Sequence, residues 1–225
     1  MPLTPVLTTG KSTVSYDAAF LTEQEAQDAF AYLETVPVRS ETVVMWGKRI
    51  TVRRRTYAFA TRDKYSRYRY AGTENRAKAP MPPVIDAMRK KIKRVYGIKT
   101  NYVFLNEYAD ATVGIGAHAD DEPGIEPDSD IVGVSLGRSA PFVFHPKRGG
   151  RRVAQQVLEH GSAAVMSGKC QSEFKHSIPA TSKPRFPPVD VGLDEPTNKR
   201  YSLTFRLNKA TRLQHEQARD GKRNK

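Results

Sequence analysis

Two stretches in the first hundred residues have the apolar spacing of amphipathic helices. In "LTEQEAQDAFAYLETV", residues 21–36, Ala26, Phe30 and Leu33 fall on one helical face. Thr22 and Glu25 stand three residues apart at its start, which is the pattern of a capping box. This stretch therefore predicts a helix with a well-defined N-terminus.

The second helical stretch is "MPPVIDAMRKKIKRVYG", residues 81–97. Prolines at its beginning suit the first turn of a helix, and Gly97 is a typical stop. The apolar spacing of Val84, Met88, Ile92 and Val95 predicts that these four side chains form the buried stripe.

From residue 100 onward the pattern changes to short strands separated by Gly-, Pro- and Asp-rich segments. The predicted strands are "YVFLNEY", "IVGVSL", "PFVFH", "RVAQQVL", "SAAVMSG" and "RYSLTFRL". Short helices followed by many antiparallel-looking strands predict an α+β protein with a double-sheet barrel or jelly-roll core and helices on one face.

Composition narrows the class of partner. The chain has 37 Lys or Arg against 24 Asp or Glu, a net charge of +13, which favours nucleic acid over an acidic membrane surface. A merely basic soluble protein is the alternative. Cys170 is the single cysteine, so no intrachain disulfide is expected. Without a signal-peptide pattern or a long apolar run, we expect a cytoplasmic monomer, with the nucleus as the alternative in a eukaryote, and no membrane partner.

Strand alternation places polar side chains together. Asn106 and Tyr108 share one face of their strand, and Arg200, Ser202 and Arg206 share one face of theirs. Such a face is ordinary if it meets solvent. Inside a barrel, two arginines would instead hold a dicarboxylate, because guanidinium matches carboxylate bidentately.

The stretch "IGAHADDEPG", residues 115–124, contains a His-x-Asp pair that is either a solvated acidic turn or part of a metal site. Two histidines and one carboxylate with open positions are typical of non-haem Fe(II) oxygenases. Among the remaining histidines, His176 is the best candidate for the third ligand after His118 and Asp120, since His145, His160 and His215 lie in an apolar strand, a turn and a polar tail.

Taken together, Asn106-x-Tyr108, His118-x-Asp120, His176 and "RYSLTFR" resemble the AlkB family of Fe(II)/2-oxoglutarate-dependent dioxygenases over residues 45–208. "HADDE", "FVFHPK", "LEHGSAAVM" and "HSIP" are similar to its nucleic-acid-repair branch. The resemblance implies a double-stranded β-helix (jelly-roll) core, and Fe(II) with 2-oxoglutarate and O2 as cosubstrates.

The resemblance also implies roles for individual residues. His118, Asp120 and His176 would bind iron, and Asn106 and Tyr108 would bind 2-oxoglutarate. Arg206 is expected at the C1 carboxylate of 2-oxoglutarate and Arg200 at the distal one, although the reverse assignment stays open. Ser202 stands where many members have Asn, and its hydroxyl can still donate a hydrogen bond.

Further residues are implied for nucleic acid. "YSRYRYAG", residues 65–72, resembles the nucleotide-recognition lid of the family, with Tyr70 and Tyr68 stacking on a flipped base. Asp121 would face a cationic alkylated base, and Glu122 would assist or orient the loop. Seven basic residues are expected to contact phosphates: Arg53, Arg54, Arg55, Lys147, Arg148, Arg151 and Arg152.

The predicted organisation is a single catalytic unit in three parts. Residues 1–99 would form N-terminal helices and the lid, 100–208 the jelly-roll core, and 209–225 a polar basic tail. The predicted function is oxidative demethylation of 1-methyladenine- or 3-methylcytosine-type bases in DNA or RNA, with release of formaldehyde, succinate and CO2. The alternatives are the same chemistry on another nucleobase, RNA or a protein side chain, and a non-catalytic nucleic-acid-binding module.

Overall fold

The computed structural model describes residues 3–45, 48–70, 73–183 and 185–210, without the side chains at 43–48 and 68–75. The described α-helices are α1 (Glu23–Glu34), α2 (Pro83–Tyr96) and the single turn α3 (Cys170–Glu173), and a short 3-10 helix spans Asp63–Tyr65. The strands before α2 are β1 (Thr4–Thr8), β2 (Ser12–Asp17), β3 (Arg39–Met45), β4 (Lys48–Ala60), β5 (Arg67–Tyr70) and β6 (Thr73–Arg76). After α2 come β7 (Tyr102–Tyr108), β8 (Ile115–His118), β9 (Ile131–Gly137), β10 (Ala140–Pro146), β11 (Ala154–Leu158), β12 (Ala163–Gly168), β13 (Phe174–Ile178) and β14 (Arg200–Arg206).

The strands form two facing antiparallel sheets and a separate hairpin. The large sheet has the order β1-β2-β12-β9-β14-β7-β4-β3, and the small sheet has the order β11-β10-β13-β8. Several strands that are consecutive in sequence, namely β7 and β8 and also β9 and β10, lie in different sheets, which is the jelly-roll arrangement. The hairpin of β5 and β6 stands apart. The predicted α+β jelly-roll fold is confirmed.

Apolar side chains fill two layers on opposite faces of the large sheet. Between the large sheet and α1 and α2 lies a cluster that includes Phe30, Ile92 and Phe205. Between the two sheets lies a second cluster, which includes Phe144 and Met166. The central strands of the large sheet are therefore covered on both faces, and a site between the sheets is shielded from bulk water.

Local sequence signals define both long helices. Thr22 caps α1, its Oγ1 accepting from the backbone N–H of Glu25, while the Glu25 carboxylate accepts from the backbone N–H of Thr22. This is the predicted capping box. Gly97 ends α2 with a left-handed conformation, φ 73°, which favours glycine.

The predicted stripe of α2 is partly wrong. Ile85, Met88 and Ile92 are the buried residues of this helix, whereas Val95 is 49% exposed and Val84 is half-buried. The stripe is rotated because α2 packs on both α1 and the sheet, so its buried face is set by two neighbours.

The first hundred residues contain more than the predicted helices and lid. β1 to β4 extend the large sheet at both edges, β2 pairing with β12 and β4 with β7. The boundaries at residues 99 and 208 stay predictions, and the tail residues 211–225 lie outside the described chain. Within the described residues, no helix combines the length and apolar character of a membrane span.

Candidate active site

Neighbouring strands of the small sheet bring the two predicted histidine ligands together. His118 ends β8 and His176 lies in β13, and the antiparallel register pairs them directly. Gly114, immediately before β8, allows the close approach of the two strands, since a Cβ there would lie 2.4 Å from the carbonyl oxygen of Ile178. Asp120 follows two residues after His118 and is buried.

The three side chains converge on one point. Their ligand atoms all lie within 4.8 Å of one another. The Nε2 atoms of His118 and His176 are each 3.7 Å from an oxygen of Asp120. Nδ1 of His118 lies 2.9 Å from the carbonyl oxygen of Gly116, to which it donates when Nε2 is left free as a metal ligand. The arrangement is that of a facial two-histidine, one-carboxylate metal site.

Contacts behind the ligands fix Asp120. Its backbone N–H donates to Oε1 of Gln171 at 2.9 Å, and Nη2 of Arg206 donates to its Oδ1 at 2.7 Å. Burial alone would raise the pKa of Asp120, but Arg206 and the two imidazoles outweigh burial and hold it below the ordinary value. Burial lowers the pKa of His176 to about 4. The ligands are therefore an ionised carboxylate and, at His176, a neutral imidazole, the protonation states that bind a divalent cation.

The triad opens into a pocket between the two sheets. Strand alternation turns Asn106 and Tyr108 of β7, with the polar residues of β14, toward this pocket, and Tyr201, Leu203 and Phe205 toward the helices. The polar lining residues outside the triad are Arg54, Asn106, Tyr108, Ser135, Arg200, Ser202, Thr204 and Arg206.

Arg200 is the feature of the pocket that indicates an anionic ligand. It is fully buried, its Nη2 donates to Oγ of Ser135 at 2.9 Å, and its guanidinium lies 5.2 Å from the centre of the Tyr108 ring. Nε and Nη1 of Arg200 have no hydrogen-bond partner within the described part of the chain. Burial lowers the pKa of Arg200 to about 10, so it stays charged at neutral pH. A buried cation with unsatisfied donors fits a carboxylate ligand.

All five residues predicted to bind 2-oxoglutarate line this one pocket: Asn106, Tyr108, Arg200, Ser202 and Arg206. Ser202 is paired with Asn106 on one side and with Ser135 on the other. Their individual contacts with the cosubstrate stay predictions.

The acidic residues predicted to contact the base differ in their ionic partners. Asp121 is exposed and forms an ion pair with Lys147, while the carboxylate of Glu122 lies 3.4 Å from Nη1 of Arg206. Glu122 therefore contacts an arginine of the pocket. Tyr68 and Tyr70 belong to β5, but their side chains lie outside the described residues.

Strand β4 carries three of the predicted phosphate contacts, and they lie on opposite faces of the strand. Arg53 and Arg55 point away from the pocket, Arg53 donating to Thr112 and Arg55 forming a 2.6 Å ion pair with Glu107. Arg54 is buried in the pocket, where its Nε donates to Oδ1 of Asn106 at 3.0 Å. A buried guanidinium cannot follow a phosphate backbone on the surface, so the prediction for Arg54 does not fit the structure.

The remaining predicted phosphate contacts surround the turn after β10. Arg148, Arg151 and Arg152 are exposed, and their role stays a prediction. Lys147 is half-buried, with its Nζ bound to Asp121 and to the carbonyl oxygen of Gln171. A phosphate would therefore compete with these two partners for Lys147.

Ser135, Arg54 and Gln171 have places in the site that were not predicted from the sequence. Ser135 lies in the predicted strand "IVGVSL", and alternation with Ile131 and Gly133 would have turned it inward. Arg54 had no such signal because the strand that carries it was not predicted. Gln171 reaches Asp120 from α3, a single turn with no periodic pattern.

Comparison with known families fits this geometry. The model of the "2OG-Fe(II) oxygenase superfamily" matches residues 13–206. The chain belongs to this superfamily. Membership implies Fe(II), 2-oxoglutarate and O2, which confirms the predicted metal and cosubstrates, with His118, Asp120 and His176 as the metal site.

The curated proteins that this chain matches are named as AlkB homologues, in agreement with the resemblance seen in the sequence. The chain is 37% identical over 119 residues to a protein named DNA oxidative demethylase ALKBH2 from Homo sapiens, covering 50% of this chain and 46% of the relative. It is 28% identical over 223 residues to the Arabidopsis thaliana protein of that name, covering 87% and 66%. It is 26% identical over 117 residues to alpha-ketoglutarate-dependent dioxygenase alkB homolog 3 from Homo sapiens, covering 48% and 41%. The chain thus spans about half the length of the mammalian relatives that it matches.

Solved structures support the fold of the superfamily. The structure of OsALKBH1 superimposes with a TM-score of 0.63 at 17% identity, covering 89% of this chain and 99% of that one. A 2OG-Fe(II) oxygenase from Burkholderia pseudomallei superimposes with a TM-score of 0.51 at 16% identity, with 89% of each chain covered. At these identities the likeness concerns the fold alone.

Proposed function

We propose that this oxygenase oxidatively demethylates N-alkylated bases of the 1-methyladenine or 3-methylcytosine type in DNA or RNA. Two kinds of observation support the proposal. The metal triad and the arginine-lined pocket suit a 2-oxoglutarate oxygenase. The curated relatives named DNA oxidative demethylase ALKBH2 give the substrate class by analogy.

The main observation in support of this reaction is that a metal triad and a buried arginine lie in one pocket. The His118–Asp120–His176 triad supplies three ligands, and a facial site of this type leaves positions for other ligands of the metal. Arg200 presents unsatisfied donors elsewhere in the same pocket. A five-carbon dicarboxylate that binds a metal with one end and an arginine with the other fits both.

The contacts of the arginines favour one orientation of 2-oxoglutarate. Arg206 touches the metal ligand Asp120, so we assign it to the C1 carboxylate at the metal. Arg200 forms no ion pair with the triad among the described residues and holds Ser135 instead, so we assign it to the distal carboxylate. Asn106, Tyr108 and Ser202 then supply further hydrogen bonds to the cosubstrate.

The protein residues orient the reaction. When bound, Fe(II) with 2-oxoglutarate and O2 supplies an oxidant that hydroxylates a C–H bond, here of the N-methyl group. A hydroxymethyl group on nitrogen then breaks down to formaldehyde and the unmodified base. Asp121 and Glu122, at the side of the metal ligand Asp120, provide negative charge toward a cationic alkylated base.

Nucleic acid is the proposed partner, with the target base flipped out of the stack. The net charge of +13 favours a polyanion, and the exposed residues Arg148, Arg151 and Arg152 supply positive charge after β10. A base must leave the helix to enter a pocket enclosed between two sheets.

The test is a direct assay. Purified protein is incubated with Fe(II), 2-oxoglutarate, ascorbate and single-stranded oligonucleotides that carry 1-methyladenine or 3-methylcytosine, in DNA and in RNA. We expect mass spectrometry to show loss of one methylene mass, formaldehyde and succinate, all absent with His118→Ala. Slow succinate formation with no change in any oligonucleotide would retain the oxygenase and reject alkylated bases as its substrates.

A further inference from the structure

Arg54 is a third arginine in the pocket, beside Arg200 and Arg206. Its position follows from the register of β4 and β7, which pairs Thr56 with Asn106. Residues two apart on a strand share a face, so Arg54 lies on the pocket side with Thr56. Its side chain is 94% shielded from solvent, since its relative exposure is 6%.

The contact between Arg54 and Asn106 is directional. Nε of Arg54 donates to Oδ1 of Asn106 at 3.0 Å. A carboxamide has one acceptor oxygen and one donor NH2 group, so an arginine bound to the oxygen leaves the NH2 group to point elsewhere. An arginine has no acceptor, and the opposite orientation of the amide would therefore place donor against donor.

The orientation of this amide matters because the ligand is a dicarboxylate. A carboxylate only accepts hydrogen bonds, so Asn106 helps to bind it with the NH2 group and hinders binding with the oxygen. Asn106 is 7% exposed and lies across from Ser202 of β14, with both residues lining the pocket. An unrestrained asparagine in this place would offer either end.

We propose that Arg54 is a positioning residue for 2-oxoglutarate, which acts by holding the Asn106 amide with its NH2 group toward the cosubstrate. The inference rests on the proposed role of Asn106 in binding 2-oxoglutarate. It replaces the surface phosphate contact predicted for Arg54 with a function inside the pocket.

The test measures cosubstrate binding without turnover. Isothermal titration of 2-oxoglutarate into protein loaded with Mn(II), under nitrogen, gives a Kd that requires neither nucleic acid nor catalysis. We expect Arg54→Met to raise this Kd roughly tenfold, the size of effect expected when a charge-assisted hydrogen bond is lost. Arg54→Lys keeps a donor of similar reach and is expected to stay within about threefold of the wild type.

A double-mutant cycle separates positioning from a general structural role. Asn106→Ala removes the group that Arg54 orients, so adding Arg54→Met to Asn106→Ala should change the Kd by less than about twofold. Arg62→Met is the matched control, because Arg62 is an exposed arginine just beyond the end of β4. The thermal midpoint and the Mn(II) affinity of each variant report on folding and on the triad.

Three outcomes would overturn the inference. Independent effects of the two substitutions would mean that Arg54 does not act through Asn106. An unchanged Kd for 2-oxoglutarate with weaker oligonucleotide binding would restore the phosphate contact. An Arg54→Lys variant that binds as poorly as Arg54→Met would deny the role of the donor. A wild type that binds 2-oxoglutarate but demethylates no oligonucleotide would refute the proposed function and leave this inference in place.

Discussion

Lys147 forms an ion pair with Asp121 beside the metal-binding loop, and its Nζ also lies 3.0 Å from the carbonyl oxygen of Gln171. The sequence assigned Lys147 to phosphate and Asp121 to a cationic base. In the structure each is the partner of the other. A positively charged base that approaches Asp121 would therefore replace one cation with another, whereas a neutral base would leave Lys147 in place.

Substitution of Lys147 tests this exchange. Lys147→Met should raise kcat/KM for 3-methylcytosine relative to 3-methylthymine by roughly twofold to fivefold, the range of a partly exposed ion pair. The two bases carry the same N3 methyl group, but only 3-methylcytosine is a cation. Lys90→Met is the control, since it removes an ion pair with Asp86 on α2. An equal loss for both bases, with a weaker dependence of binding on salt, would show that Lys147 contacts phosphate instead.

The contact behind Asp120 predicts an effect on metal affinity. Gln171→Leu removes the acceptor of the Asp120 backbone N–H and should weaken Mn(II) binding roughly tenfold, as is usual for groups that orient a metal ligand. Titration of Mn(II), followed by electron paramagnetic resonance, measures the free ion. Gln24→Leu on α1, where Gln24 donates to Asp28, serves as the control. Equal affinities of the two variants would show that Gln171 has no role at the metal.

Because the buried stripe of α2 is rotated, substitutions at Ile92 and at Val95 should have different effects on the free energy of unfolding. Ile92 is fully buried beneath α1 and the large sheet, and Ile92→Ala should lower the free energy of unfolding by about 2–5 kcal/mol. Val95 is 49% exposed, and Val95→Ala should change this free energy by no more than about 0.5 kcal/mol. Urea denaturation of both variants measures the difference, and similar losses would mean that the stripe predicted from sequence is the buried one.

The buried thiol of Cys170 should make the folded state less stable at alkaline pH. Burial, with help from Glu173 and Asp120, raises the pKa of this thiol to about 12. An unfolded chain loses the thiol proton near a pKa of about 8.5, so the folded state binds more protons between these values and stability falls as pH rises through them. The wild type should lose about 1–2 kcal/mol more than Cys170→Ala between pH 7 and 10.

Thiol labelling gives an independent check on Cys170. Because it is the single cysteine, its reaction with iodoacetamide is read without ambiguity. The folded protein should react far more slowly than the urea-unfolded chain at pH 8.5. Equal rates in the two states would contradict the buried, protonated thiol.

Features that depend on neighbouring residues in the chain could be predicted from sequence. The capping box of α1 is formed by Thr22 and Glu25, three residues apart. The inward face of β14 follows from alternation, which brought Arg200, Ser202 and Arg206 into one pocket. His118, Asp120 and His176 were found through residue type and order, and the structure joins them.

Features that depend on distant partners could not be predicted. β4 is a strand because it pairs with β7, and a run of three arginines shows no alternation of polarity to reveal which one points inward. Arg54 was therefore assigned to the surface with its neighbours. The ion pair of Lys147 and Asp121 joins two loops through side chains whose sequence context indicates only exposed charge.

Because His118 and His176 are paired across two strands, insertions in those strands would disrupt the metal site. A strand that shifts by one residue turns every side chain to the opposite face, so an insertion within β8 or β13 would remove one imidazole from the triad. β13 is aligned by β8 and β10, and β14 separately by β7 and β9. The described residues between them pair with neither sheet, but Val191 is buried in the core and Lys199 binds Glu34, so a change of length there keeps His176 and Arg200 in place only where these anchors are spared.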